Sequence, residues 1–145
     1  MPPVFRRVAL IGKVRSPESD AAMRELRGFL AKRGCEILPE GETKADLAIV
    51  IGGDGTMLAA ARELVRHQVP VVGINQGRLG FMTDIGHRDM QAGVGAILDG
   101  NYALEERSLL DAEIKRAGKP VLRTIALNEA VIGRASCRER VCLVV

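Results

Sequence analysis

Tryptophan is absent from this 145-residue chain, tyrosine occurs once and phenylalanine three times. A surface that stacks single-stranded bases needs a run of aromatic side chains, so nucleic acid is not an expected partner. Cysteine is nearly as scarce. Of three, Cys137 and Cys142 lie near the C-terminus and only Cys35 sits in the body of the chain, which leaves neither a disulfide framework nor a thiolate metal site to propose. His67 and His87 are isolated and receive no metal or catalytic role. No apolar run approaches the ~20 residues that a bilayer span requires, and Met1 to Arg7 is too short and too basic for a signal peptide. A cytoplasmic protein without a membrane partner is expected.

What is present suits a packed domain. Hydrophobic residues make up 47% and charged residues 27%, without polar low-complexity tracts, a balance that allows a core and disfavours disorder. The net charge of +3 does not point to an acidic partner, because Arg134, Arg138 and Arg140 against Glu139 supply two of the three charges. That same segment, from Ile132 through Cys137 to Val141, resembles one reading frame of a sequencing-library adapter. Residues 132–145 are therefore expected to be a non-native tail without function.

The body alternates between two periodicities. Arg7 to Ile11 reads as a buried strand. Ser16-Pro17-Glu18 combines a hydroxyl cap, a first-turn proline and an early acid, marking a helix that runs to about Arg33. Ala22, Met23, Leu26, Phe29 and Leu30 give it one apolar face, and Gly34 suits a left-handed stop. Strands are expected at Cys35 to Leu38, Asp46 to Ile51 and Val69 to Ile74, with helices at Met57 to His67 and Arg88 to Leu98. This order predicts an α/β fold, a doubly wound, Rossmann-like parallel sheet over residues 1–101. From Tyr102 the pattern changes to a hairpin, Leu104 to Arg116 and Val121 to Val131 around a turn at Ala117 to Pro120, read as the truncated beginning of a β-rich domain over 102–131.

Chemistry concentrates at Gly52-Gly53-Asp54-Gly55-Thr56, between a strand and a helix. Glycines there let a phosphate approach the backbone, and the helix start offers N–H groups with a positive dipole end. An aspartate facing phosphates needs another task, such as taking a proton from an attacking hydroxyl or holding Mg2+. The plainer reading is that Asp54 caps the helix. Likewise Asn75 with Gly77 can be turn chemistry alone, Phe81 can be a core residue, and Asn128-Glu129 can be an ordinary polar pair at a strand end.

The glycine motif resembles the signature shared by NAD kinases, diacylglycerol and sphingosine lipid kinases and, more distantly, phosphofructokinases. The segment Gly73-Ile74-Asn75-Gln76-Gly77-Arg78-Leu79-Gly80-Phe81-Met82-Thr83-Asp84 and the pair Asn128-Glu129 are similar to further NAD kinase motifs, in the family's order. The resemblance covers about Arg7 to Val131 and identifies an N-terminal fragment of an NAD kinase. It implies transfer of the γ-phosphate of ATP, or of polyphosphate, to the 2′-hydroxyl of the adenosine ribose of NAD, with Mg2+ accompanying ATP. By the same resemblance, Asp54 is the general base. Gly52, Gly53, Gly55 and Thr56 shape the phosphate side, and Gly55 also lies near NAD. Asn75 supports the loop beside Asp54, Phe81 lies against the adenine, and Asn128 and Glu129 hydrogen-bond NAD. A full-length homodimer or homotetramer is implied, while the fragment itself is expected to be inactive. The rival readings are a lipid kinase of the same superfamily and a nucleotide-binding module without catalysis.

Overall fold

The computed structural model describes residues 2–13, 16–77, 80, 82–83, 85–127 and 142–144. The chain divides into two compact units, Met1–Leu104 and Glu105–Val145.

The first unit is built on a five-stranded parallel sheet in the order β2-β1-β3-β4-β5. Strand β1 spans Arg7–Gly12 and β3 spans Leu47–Ile51. All five residues of β3 are buried, as a strand covered on both faces requires. Helix α1 (Pro17–Lys32) begins where the cap signals place it: the Ser16 hydroxyl accepts a hydrogen bond from the Ser19 N–H at 3.3 Å, and Pro17 fills the first turn. Its buried face consists of Ser19, Ala22, Leu26 and Leu30. Gly34 stops it at φ +76°, a conformation that costs glycine nothing.

Strand β2 is only Glu36–Ile37, shorter than the apolar run suggested. Helix α2 is Asp54–Leu64, starting three residues before the expected Met57 and followed by a 3-10 turn at Val65–His67. Strand β4 is Val71–Asn75, so Val69 and Pro70 lie ahead of it. A two-residue strand β5, Ile85–Gly86, has no counterpart in the sequence reading. A 3-10 turn at His87–Asp89 then leads into helix α3 (Met90–Leu98).

Helices α1 and α3 pack on one face of the sheet, where Leu26, Leu30, Val94 and Leu98 meet Val8, Leu10, Ile49 and Ile51. Helix α2 covers the other face, with Met57 and Ala60 against Val50 and Leu64 against Ala9 and Ala48. The sheet is therefore doubly wound. The chain leaves β1 toward β2 on one side and β3 toward β4 on the other, which puts the switch in winding direction between the carboxyl ends of β1 and β3. At the opposite end Asp46 ties the two starts together. Its Oδ2 accepts the Arg7 N–H at 2.9 Å and its Oδ1 accepts the Arg7 guanidinium at 2.7 Å. The hydrogen bond from the Arg7 side chain holds the Asp46 carboxyl below its usual range.

The second unit is a small antiparallel sheet in the order β7-β6-β8. Strand β6 (Leu110–Arg116) turns through Ala117 (φ 49°) and Gly118 (φ 76°) into β7 (Lys119–Ala126). Two consecutive positive φ values make the two-residue turn that matches hairpin twist. The turn is thus tighter than the expected Ala117 to Pro120. Pro120 lies inside β7, an edge strand, beside a register shift at Ile114/Lys115. Strand β8 (Cys142–Val144) pairs with the other edge of β6, within the segment expected to be a non-native tail.

Candidate functional site

Two loops meet at the carboxyl edge of the first unit's sheet, because β3 and β4 are hydrogen-bonded neighbours. Ile51 lies opposite Ile74, and the Gly52 N–H donates to the Ile74 carbonyl at 2.9 Å. The glycine motif after β3 and the segment after β4 are therefore held side by side from their first residues.

The glycines of the motif serve different ends. A Cβ on Gly52 would stand 2.6 Å from the Thr56 Oγ1 and 2.9 Å from its Cβ, so a glycine is needed for the Thr56 side chain to fold back onto the loop. With its N–H already donating to Ile74, Gly52 shapes the loop from within. A Cβ on Gly53 or Gly55 would meet nothing within 4 Å. Both are exposed, and the space above them is open to a ligand. Gly53 is the N-cap of α2, and the Met57 N–H donates to its carbonyl at 3.1 Å. The N–H groups of the first turn have no intrahelical partner, the usual condition for an anion site at a helix start.

Asp54 is the first residue of α2, after the cap, so it is not the capping side chain of the plainer reading. Its half-buried carboxylate reaches across to the second loop, where Oδ1 accepts the Met82 N–H at 3.1 Å. Gly80 lies directly against it: a Cβ there would sit 2.7 Å from the Asp54 Cγ and 2.8 Å from Oδ2, with Oδ1 closer still. The carboxylate is thus fixed by a donor on one side and walled by a bare Cα on the other.

Asn75, at the end of β4, is buried and organises that second loop. Its Oδ1 accepts the Gly77 N–H at 2.7 Å and its Nδ2 donates to the Thr83 Oγ1 at 3.0 Å. The Thr83 hydroxyl in turn accepts the Gly80 N–H at 3.3 Å. Gly80 and Thr83 belong to the segment quoted from the sequence but carry no role there. Nothing in a sequence marks one threonine hydroxyl as fully enclosed or one glycine as pressed against a carboxylate 26 residues earlier in the chain. Phe81, Asp84, Asn128 and Glu129 lie outside the described residues.

Among the described residues, no three His, Cys, Asp or Glu side chains come together as a metal cluster. A separate cleft of about 510 Å³ runs beside β1, lined by Gly12, Ser19, Met23, Arg27 and the loop from Pro39 to Thr43; Asp54 does not border it. No described helix is long and apolar enough to cross a membrane.

Residues 37–102 match the family described as ATP-NAD kinase N-terminal domain. The chain is 47% identical over 150 aligned residues to the NAD kinase of Aromatoleum aromaticum, covering 90% of this chain and 50% of that protein. Among solved structures it is similar to yeast NADH kinase complexed with NADH, with a TM-score of 0.67 at 20% identity over 86% of this chain and 47% of the other. It is also similar to the Archaeoglobus fulgidus NAD kinase in complex with ATP, with a TM-score of 0.54 at 18% identity over 81% of this chain and 56% of the other. The chain spans about half the length of the curated relatives it matches.

Proposed function

The chain belongs to the NAD kinase family, and from that premise we propose that it carries the general base and the phosphate-side loop for phosphorylation of NAD to NADP. Asp54 takes the proton from the 2′-hydroxyl of the adenosine ribose of NAD. The freed oxygen attacks the γ-phosphorus of ATP, a new P–O bond forms, and the bond to the β-phosphate oxygen breaks with its electron pair leaving on ADP. Polyphosphate serves the same chemistry with a shortened chain as leaving group.

The observation that carries this reading is the placement of Asp54: a carboxylate fixed by the Met82 N–H at 3.1 Å, at the start of a helix whose flanking Gly53 and Gly55 open to solvent. Phosphoryl transfer asks mainly for positioning and charge stabilisation, which backbone N–H groups and a helix start supply. Mg2+ bound with ATP neutralises the phosphate oxygens. Asn128 and Glu129 hydrogen-bond the nucleotide and Phe81 lies against its adenine, roles carried from the family pattern. Completed to the length of its relatives, the protein is a cytoplasmic homodimer or homotetramer.

The test is Asp54→Asn in this chain completed with the C-terminal half of the Aromatoleum aromaticum enzyme. A base acts in the transition state, so kcat should fall by about 100-fold or more while the KM for NAD changes little. Near-normal turnover would remove Asp54 from the mechanism.

A further inference from the structure

Asp54 is held by two features of one short backbone segment, the Met82 N–H that it accepts and the Gly80 Cα that it lies against. Among the described residues, the Thr83 side chain ties that segment to β4. Thr83 is 1% exposed, and both branches of its Cβ are used. The hydroxyl accepts from the Gly80 N–H at 3.3 Å, three residues back, and from the Asn75 Nδ2 at 3.0 Å, tying Gly80 and Thr83 to the end of β4. The methyl seats on β4 itself: a Cβ on Gly73 would come within 2.8 Å of the Thr83 Cγ2 and 3.2 Å of the Met82 carbonyl.

We infer that Thr83 is a positioning residue for the Asp54 carboxylate, acting through the backbone of Gly80 and Met82. The chain of contacts has no slack. The strand fixes the methyl, the methyl and Asn75 fix the hydroxyl, and the hydroxyl fixes Gly80. The next residue but one presents its N–H to Asp54. Serine keeps the hydroxyl and loses the methyl. Valine keeps the branched shape and withdraws the acceptor from two donors in a buried place, an arrangement that drives the loop to find other partners. The inference rests on the proposed function for its catalytic meaning, while its geometry is tested without turnover.

The experiment is NMR on the 145-residue chain. Asp54→Asn first identifies the Met82 amide resonance that senses the carboxylate. Thr83→Val should move that resonance in the same direction and speed hydrogen exchange at Gly80 and Met82 by about tenfold or more, with Ile49 and Leu26 in the core unchanged. Thr83→Ser should stay within about twofold of the parent at both amides. Should Thr83→Val loosen the whole sheet, Thr83→Ala, which leaves room for water, takes its place with the same expected pattern. The inference is overturned if Asp54→Asn leaves Met82 unmoved, if the Met82 signal of the valine or alanine variant matches the parent, or if serine disturbs it as much as valine does. Because none of these readouts involves NAD, a lost kinase activity and a failed positioning role give different results.

Discussion

Replacing Gly80 by alanine tests the site at its tightest point. The added methyl would stand 2.7 Å from the Asp54 Cγ, short of ordinary van der Waals contact by about 0.7 Å, and Oδ2 at 2.8 Å is nearly as crowded. Gly80 is not among the glycines with positive φ, so alanine suits its backbone and the penalty is one of space alone. Two responses are open: the carboxylate swings away, or Gly80 and Met82 back off. Either one lengthens the 3.1 Å bond from the Met82 N–H by a comparable amount, past the distance at which it still counts as a hydrogen bond. A displacement approaching 1 Å at a reacting group costs about 10- to 100-fold in rate, which is ~1.4 to 2.8 kcal/mol of barrier. Measured as NADP formation by the chain completed with the relative's C-terminal half, Gly80→Ala should therefore lower kcat by that factor. The KM values should move much less, since Gly53 and Gly55, proposed to face the phosphates, are untouched. Gly55→Ala is the contrasting control. Its methyl meets nothing in the free protein, so it should leave folding intact and weaken nucleotide binding instead. If Gly80→Ala turned over NAD at the parent rate, the argument that Asp54 must sit against that bare Cα would be wrong.

Two further outcomes are expected. The 145-residue chain incubated with NAD, ATP and Mg2+ should form no NADP, because it spans about half the length of the relatives it matches; NADP production above a protein-free control would contradict this. Asp46 gives a pH signature of folding. Its carboxyl is held below its ordinary value by Arg7 in the folded chain, so its contribution is complete above the unfolded value of ~3.9 and fades as pH falls through the lower folded value. Because the Arg7 and Asp46 side chains are 49% and 30% exposed, the effect is small. Asp46→Asn should lower the urea midpoint slightly at pH 7, and the gap from the parent should close on acidification; a gap that persists below the folded value would assign the loss to packing.

The sequence by itself determined the alternation of strands and helices, and with it the fold class. The cap at Ser16-Pro17, the stop at Gly34 and the wholly apolar β3 are local signals, each set by neighbours within a turn or a strand, and the structure has them at those residues. It also pointed to a helix start at the sheet's carboxyl edge, since a glycine-rich turn falls between strand and helix, and α2 begins there. It misjudged the beginning of α2, because Gly53-Asp54-Gly55 reads as loop by propensity, while the hydrogen bond from the Met57 N–H to the Gly53 carbonyl already closes a helical turn. It had no means of finding β5, two residues whose strand character comes only from pairing with Ile74 and Asn75.

Tertiary structure alone decided how the two loops serve one another. That Gly52 is glycine for Thr56, that Gly80 is glycine for Asp54, and that Thr83 bonds to Asn75 are facts about atoms 4 to 26 residues apart in sequence, and they hold only once the sheet brings its loops into register. Side-chain hydrogen bonds and close contacts are set by distances of a few ångströms, and a periodic pattern of apolar residues carries no information at that scale. Periodicity fixes which face is buried; packing fixes which oxygen meets which N–H.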